Sequence, residues 1–286
     1  CDSHSQYLLL IGAYRDNEVS SSHPLISTLA EMQQAHAVTN NIVLQPLQIT
    51  HTNQLIADTL RTNTTTTKAL AELVFKKTQG NPFFLTQLLK SLYQEKLLTF
   101  DFDRAGWQWD IHVLQEIDIT DNVVELMVSQ IQKLSPKTQK VLKFAACIGD
   151  KFTLDILAIV NEKSLLETAK YLWEALQVNL ISPLSEAYKI PLVIEPDTST
   201  ILLVKPLKVS YRFLHDRVQQ AAYSLIPDSQ KQATHLKIGQ LLLKNTAIAE
   251  RKENIFALVN HLNYGSDLLT LDAEKSELAE LNLIAG

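Results

Sequence analysis

The sequence predicts a mainly helical chain with a small α/β portion at its start and small β parts further on. Three observations carry that prediction. From Thr52 onward, apolar residues recur three and four apart through most of the chain, the period of a helix with one buried side. Residues 1–48 instead hold two short apolar runs with a helical stretch between them, an order that suits the edge of a parallel sheet. Further segments alternate between apolar and polar residues next to turn residues, as short antiparallel strands do.

Taken in order, Tyr7 to Ile11 reads as a buried strand closed by Gly12. A helix follows from Pro24, a good first-turn residue, to Ala37. Asn41 to Leu44 reads as a second strand, ended by Pro46. Helices are then expected over Thr52 to Leu60 and Lys68 to Lys77, with Thr62 to Thr67 as a polar, β-branched loop between them. Asn81-Pro82 starts a third, through Leu85, Leu88, Leu89 and Leu92. The asparagine caps it, and the proline sits where no amide hydrogen is needed.

Leu97 to Phe102 and Trp107 to Ile111 alternate around Asp103-Arg104-Ala105-Gly106, the pattern of a hairpin. Helices are expected over Asp121 to Leu134, Lys137 to Cys147, Phe152 to Val160 and Ser164 to Val178. In the last, Ser164 and Glu167 form a capping box. Strand-like Leu180 to Leu184, Ile201 to Val204 and Ser210 to Leu214 follow. Three helices and then a β-wing is the order of a winged-helix domain. Asp216 to Leu225, Gln230 to Lys244, Ile255 to Tyr264 and Ala273 to Ile284 complete the chain as amphipathic helices, the start of a helical-repeat array.

The 286 residues are 46% hydrophobic, enough for one large core or a few smaller ones. A net charge of -5 argues against nucleic acid as a partner. Two cysteines, Cys1 and Cys147, build no disulfide framework, which fits a reducing, cytoplasmic setting. No apolar run nears the roughly 18 residues a membrane span needs, and no cationic signal segment opens the chain. The start at Cys1 and the helical spacing still running at Leu278, Leu281 and Ile284 read as the ends of a fragment.

Three positions stand out chemically. His215-Asp216 lies where a strand gives way to a helix, and an imidazole at a helix start suits a phosphate, because the dipole there favours negative charge. On the plain structural reading the pair is a helix start, with Asp216 as its cap. Gly80-Asn81-Pro82-Phe83-Phe84 is a rigid turn presenting an apolar face at a helix start, with Phe83 and Phe84 expected in the core. Arg15 follows a strand, where it can pair with Asp16 or Glu18, or can meet a phosphate. The remaining histidines (His4, His23, His36, His51, His112, His235 and His261) show no metal-ligand spacing, and no catalytic group is identified.

Leu9 to Val19, Gly80 to Leu85 and Tyr211 to Tyr223, in that order, resemble the STAND class of signalling ATPases. The resemblance is closer to the AAA-type ATPase region of bacterial, especially cyanobacterial, multi-sensor serine/threonine and histidine kinases. It implies four parts: residues 1–48 as the last strands of a P-loop ATPase core, 49–118 as a helical lid with a hairpin, 119–214 as a winged helix, and 215–286 as a repeat-like helical region. It also implies ATP or ADP as ligand, with Arg15 sensing the γ-phosphate, Pro82 near the adenine and His215 at the β-phosphate of ADP. Kinase domains would share the polypeptide, and a protein partner could bind the C-terminal helices.

The phosphate loop is missing. No Gly-x-x-x-x-Gly-Lys-Ser/Thr occurs, and no strand-like run ends in an acidic pair able to hold magnesium. Both the triphosphate cradle and Mg would come from an upstream half, so this chain alone is not expected to hydrolyse ATP. A competing reading is a nucleotide-free interaction scaffold. DNA binding is not expected, because Glu167 and Glu174 outweigh Lys170 on the helix that would read the groove.

Overall fold

A computed structural model of the chain describes all residues except 1–9, 15–18, 21–22, 36, 117–119, 121, 190–208, 247–250 and 252–254. The chain divides into two compact units, Cys1–Pro46 and Leu47–Gly286.

The first unit contains α1 (Pro24–Gln34), which begins on Pro24 behind His23, whose Nδ1 accepts the Leu25 amide at 3.1 Å. It has no buried residue. Among the described residues, neither run expected here as a strand is paired. Leu10, Ile11 and Asn41 to Leu44 belong to no ladder, and Leu10, Ile42 and Leu44 are 78%, 82% and 90% exposed. Tyr7 to Leu9 lie outside the described residues. Unlike a helix, a strand draws its hydrogen bonds from a neighbouring strand, so an apolar run with no ladder partner among the described residues stays coil.

The second unit opens with α2 (Ile49–Thr59), α3 (Thr64–Thr78) and α4 (Pro82–Gln94). Thr64 to Thr67 are not loop but the first turn of α3. Asn63 Oδ1 accepts the Thr66 amide at 2.8 Å, and buried Thr67 donates its hydroxyl to Asn53 Oδ1 at 2.6 Å. A good cap and one satisfied hydroxyl outweigh the weak helix propensity of threonine.

The hairpin forms as β1 (Thr99–Asp101) and β2 (Gly106–Gln108), with Phe100 opposite Trp107. Ile111 does not extend β2. It starts a short helix, α5 (Ile111–Glu116), where Asp110 Oδ1 accepts the His112 amide.

Next come α6 (Val123–Gln132), α7 (Pro136–Ile148), β3 (Lys151–Thr153), α8 (Leu154–Asn161), α9 (Leu165–Gln177), β4 (Ile181–Pro183) and β5 (Ser210–Phe213). Both halves of the Ser164/Glu167 capping box are present. Phe152 lies in β3 rather than opening α8. The three strands form one antiparallel sheet in the order β3-β5-β4, with Phe152 opposite Tyr211 and Ile181 opposite Phe213. The run expected at Ile201 to Val204 lies outside the described residues.

The chain continues as α10 (Asp216–Ser224), α11 (Asp228–Asn245), α12 (Ile255–Tyr264) and α13 (Asp272–Ala285). One apolar core runs from Ile56 in α2 through Leu85, Met127, Leu142 and Tyr211 to Ala222 in α10. The C-terminal helices rest on two smaller clusters. Cys147, Val160, Ile238 and Leu258 form one, and Ile255, Leu262, Leu278 and Leu281 the other. Each fully buried Leu or Ile contributes about 1.5–3 kcal/mol, so the larger cluster supplies most of the stability of this unit.

Candidate functional site

The Gly80 turn is fixed by its close neighbours. Gln79 ends α3 in the left-handed region, and Gly80 follows at φ 73°. The Leu47 amide donates to the Gly80 carbonyl at 2.8 Å. A Cβ on Gly80 would sit 2.0 Å from the Leu47 oxygen, so only glycine fits. Asn81 Oδ1 then accepts the Phe84 amide at 3.0 Å, and Pro82 takes the first helical position, as its missing amide hydrogen allows.

Phe83 and Phe84 part company here. Successive residues on a helix point about 100° apart, so a first turn seated on a core can bury only one of them fully. Phe84 is 4% exposed in the core; Phe83 is half-buried and turns to His215. Both rings therefore belong to the core region, Phe84 within it and Phe83 packed at its margin.

The His215 turn is built from the other side. β5 ends at Phe213, and the Leu214 amide donates to the Leu180 carbonyl at 3.0 Å. His215 is extended (φ -151°, ψ 150°) and caps α10: its Nδ1 accepts the Arg217 amide at 3.1 Å. Asp216 is therefore not the cap, as the sequence suggested, but the first helical residue. A side chain caps from the residue just before the helix, and that residue is His215. The Asp216 carboxylate Oδ1 also contacts His215 Nδ1. One nitrogen cannot serve both at once. A neutral ring with its lone pair on Nδ1 and its proton on Nε2 takes the amide, whereas a proton on Nδ1 would serve Asp216.

These two turns meet. The Phe83 ring stacks on the His215 imidazole, centroids 4.1 Å apart and planes 14° from parallel. The structure thus brings the Pro82 turn beside His215, and the His215 side chain remains 30% exposed. Arg15 lies outside the described residues. An open groove of about 350 Å³ is lined by Asp216, Gln219, Gln220 and Tyr223 together with Ala146 of α7.

Glu174 behaves differently from its expected place on an outward, DNA-repelling face. Its carboxylate accepts the Ser135 amide at 3.0 Å and the Thr138 hydroxyl at 2.8 Å, at the start of α7. These bonds, with the backbone amide foremost, hold its pKa below the usual carboxylate range. Glu167 is likewise occupied by its capping box. Beside them Trp173 is exposed, and Tyr171 lies under Lys137 Nζ at 5.3 Å.

Sequence reasoning missed the ring that His215 lies against. The available signal was the pair Phe83-Phe84 in a first helical turn, of which one ring had to sit at the margin of the core. It also missed a histidine pair, His235 and His261, that the fold brings into contact from 26 residues apart. Among the described residues, no group of three or more His, Cys, Asp or Glu is placed to hold a metal, and no helix is long and apolar enough to cross a membrane.

No protein-family profile matches the chain. It is 31% identical over 98% of its length to hybrid signal transduction histidine kinase G of Dictyostelium discoideum. It is 21% identical over 83% of its length to the peroxide stress-activated histidine kinase mak3 of Schizosaccharomyces pombe. In each case the chain spans 9% of the relative's own length. The chain is therefore similar to a small segment of signal-transduction histidine kinases, a signalling-kinase context.

Proposed function

We propose that this chain is the regulatory portion of a nucleotide switch inside a larger signal-transduction kinase, with ATP or ADP as the ligand read. The observation that carries the proposal is the Phe83–His215 stack. It joins the turn at Gly80–Pro82 to the start of α10, two of the three places where the sequence resembles a nucleotide sensor. In this reading α2 to α5 with the hairpin form the lid. Residues 119–214, from α6 to β5 and with the sheet order β3-β5-β4, form a winged helix. Residues 1–48 would complete an ATPase core whose phosphate loop and Mg lie elsewhere in the polypeptide.

Chemically, His215 presents an imidazole at the N-terminus of α10, where a proton on Nε2, in the tautomer that takes the Arg217 amide on Nδ1, and the helix dipole would both favour an anion. Pro82 and Phe83 offer a flat apolar surface beside it, as a purine would require. Exchange of ADP for ATP would change how the two turns pack and so relay the bound state to kinase domains of the same polypeptide. The C-terminal helices are a surface for a protein partner.

One observation favours the other reading, a nucleotide-free scaffold: His215 caps α10 through Nδ1 and packs its ring on Phe83, two structural roles that need no nucleotide. The test is ADP binding to the longer polypeptide that contains this chain, measured calorimetrically. His215→Ala should weaken ADP at least tenfold, on the order of 1.4 kcal/mol. A folded variant that keeps its ADP affinity would remove His215 as the sensor, and a parent that binds no ADP would establish the scaffold instead.

A further inference from the structure

A second polar cluster sits where α10, α11 and α12 meet. His235 and His261 are 9% and 6% exposed, and their Nδ1 atoms are 2.8 Å apart. On its other side, His235 Nε2 is 3.1 Å from the Tyr223 hydroxyl of α10, which reaches the Tyr264 hydroxyl at 3.4 Å. The Tyr264 ring packs on His235 at 4.3 Å. Two nitrogens at that distance share a single proton, one donating and the other accepting.

We propose that the His235–His261 contact is an acid-sensitive latch that holds α11 and α12 together and ties them to α10 through Tyr223. One extra proton can be placed on His235, donating Nδ1–H to His261 and Nε2–H to Tyr223, but it leaves a buried charge. A second sets two N–H groups head to head, and the contact breaks.

The surroundings do nothing to favour the charged rings. Lys231 Nζ lies 4.8 Å over the Tyr223 ring, itself paired with Asp228, and Cys147 of α7 packs in the neighbouring apolar cluster. Carboxylates on the adjoining elements are engaged elsewhere: Glu162 of α8 with Lys237, Asp267 with Gln232, Glu274 of α13 with Gln240 and Glu277 with Arg251. Among the described residues no carboxylate hydrogen-bonds to either imidazole. Burial accordingly holds His235 below the usual imidazole range and His261 down to about 4, where its charged neighbour adds to the effect.

Because the packed state binds protons less readily than the open one, the latch holds above the ordinary imidazole pKa and weakens as pH falls below it. Between about pH 7.5 and about pH 5 the opening equilibrium should rise by up to roughly 30-fold per imidazole. Backbone amide NMR of the chain at these two pH values provides the test. Amide exchange in α11 and α12, corrected for its intrinsic pH dependence, should show that rise at the lower pH, while α2 and α3 keep their protection. His261→Gln, which keeps a neutral hydrogen-bonding group, should remove one imidazole's share of that rise.

Unchanged exchange in α11 and α12 of the unmodified chain, or an equal rise in the variant, would overturn the latch. If His261→Gln does not fold, the imidazole titrations of the unmodified chain decide. Both rings titrating well below about 6.5 support the latch, and either one at or above that value rejects it.

Discussion

Phe83 lies flat on His215, at 4.1 Å and 14° from parallel, so the first turns of α4 and α10 touch through two rings. An aromatic contact of this kind is worth about 0.5–1.5 kcal/mol beyond its buried area. A double-mutant cycle of Phe83→Ala and His215→Ala, read by urea unfolding, should return a coupling of that size. Strict additivity would mean that the rings touch without mutual stabilisation.

Gly80→Ala should be severely destabilising, by about 3 kcal/mol or more, because the left-handed backbone and a clash with backbone act together. The added Cβ would meet the Leu47 carbonyl, which cannot rotate away like a side chain. Thermal unfolding of the variant measures this; a loss below about 1 kcal/mol would show that the Leu47 to Gly80 bridge gives way easily.

Asn63→Ala should lower stability by about 1 kcal/mol, since the side chain satisfies the Thr66 amide at the start of α3. Thr67→Val should act at the same place by removing the hydroxyl that Asn53 accepts. Both effects should appear first as increased amide exchange in the first turn of α3. An unaltered first turn would count against the cap as the reason these threonines are helical.

Glu174→Gln should weaken the junction of α7 and α9 by about 1 kcal/mol at neutral pH, by loss of charge on a carboxylate that accepts an amide and a hydroxyl. The folded pKa is depressed, so the contribution is present above the ordinary carboxylate value and is lost as pH falls through the folded one. The gap between parent and variant in urea midpoint should therefore close in acid. A gap independent of pH would assign the effect to packing.

Features closed within four residues were legible in the sequence. The start of α4 at Asn81-Pro82 and the Ser164/Glu167 box each make their hydrogen bonds locally, and each forms where expected. The first turn of α3 was misread because threonine propensity argued against the cap beside it. α5 went unseen because the alternation through Trp107 and Trp109 continues into its first residue.

The sequence by itself determined where most helices begin and which of their sides are apolar, because capping and periodicity are short-range and act through the chain's own backbone. It also marked Pro82 and His215 as unusual. Tertiary structure alone decided that Phe83 rather than Phe84 meets His215, that β5 lies between β3 and β4, and that His235 finds His261. Each of those pairings joins residues from 26 to 132 positions apart. No local preference encodes such a contact, which exists only once the apolar sides of several helices have packed into one core.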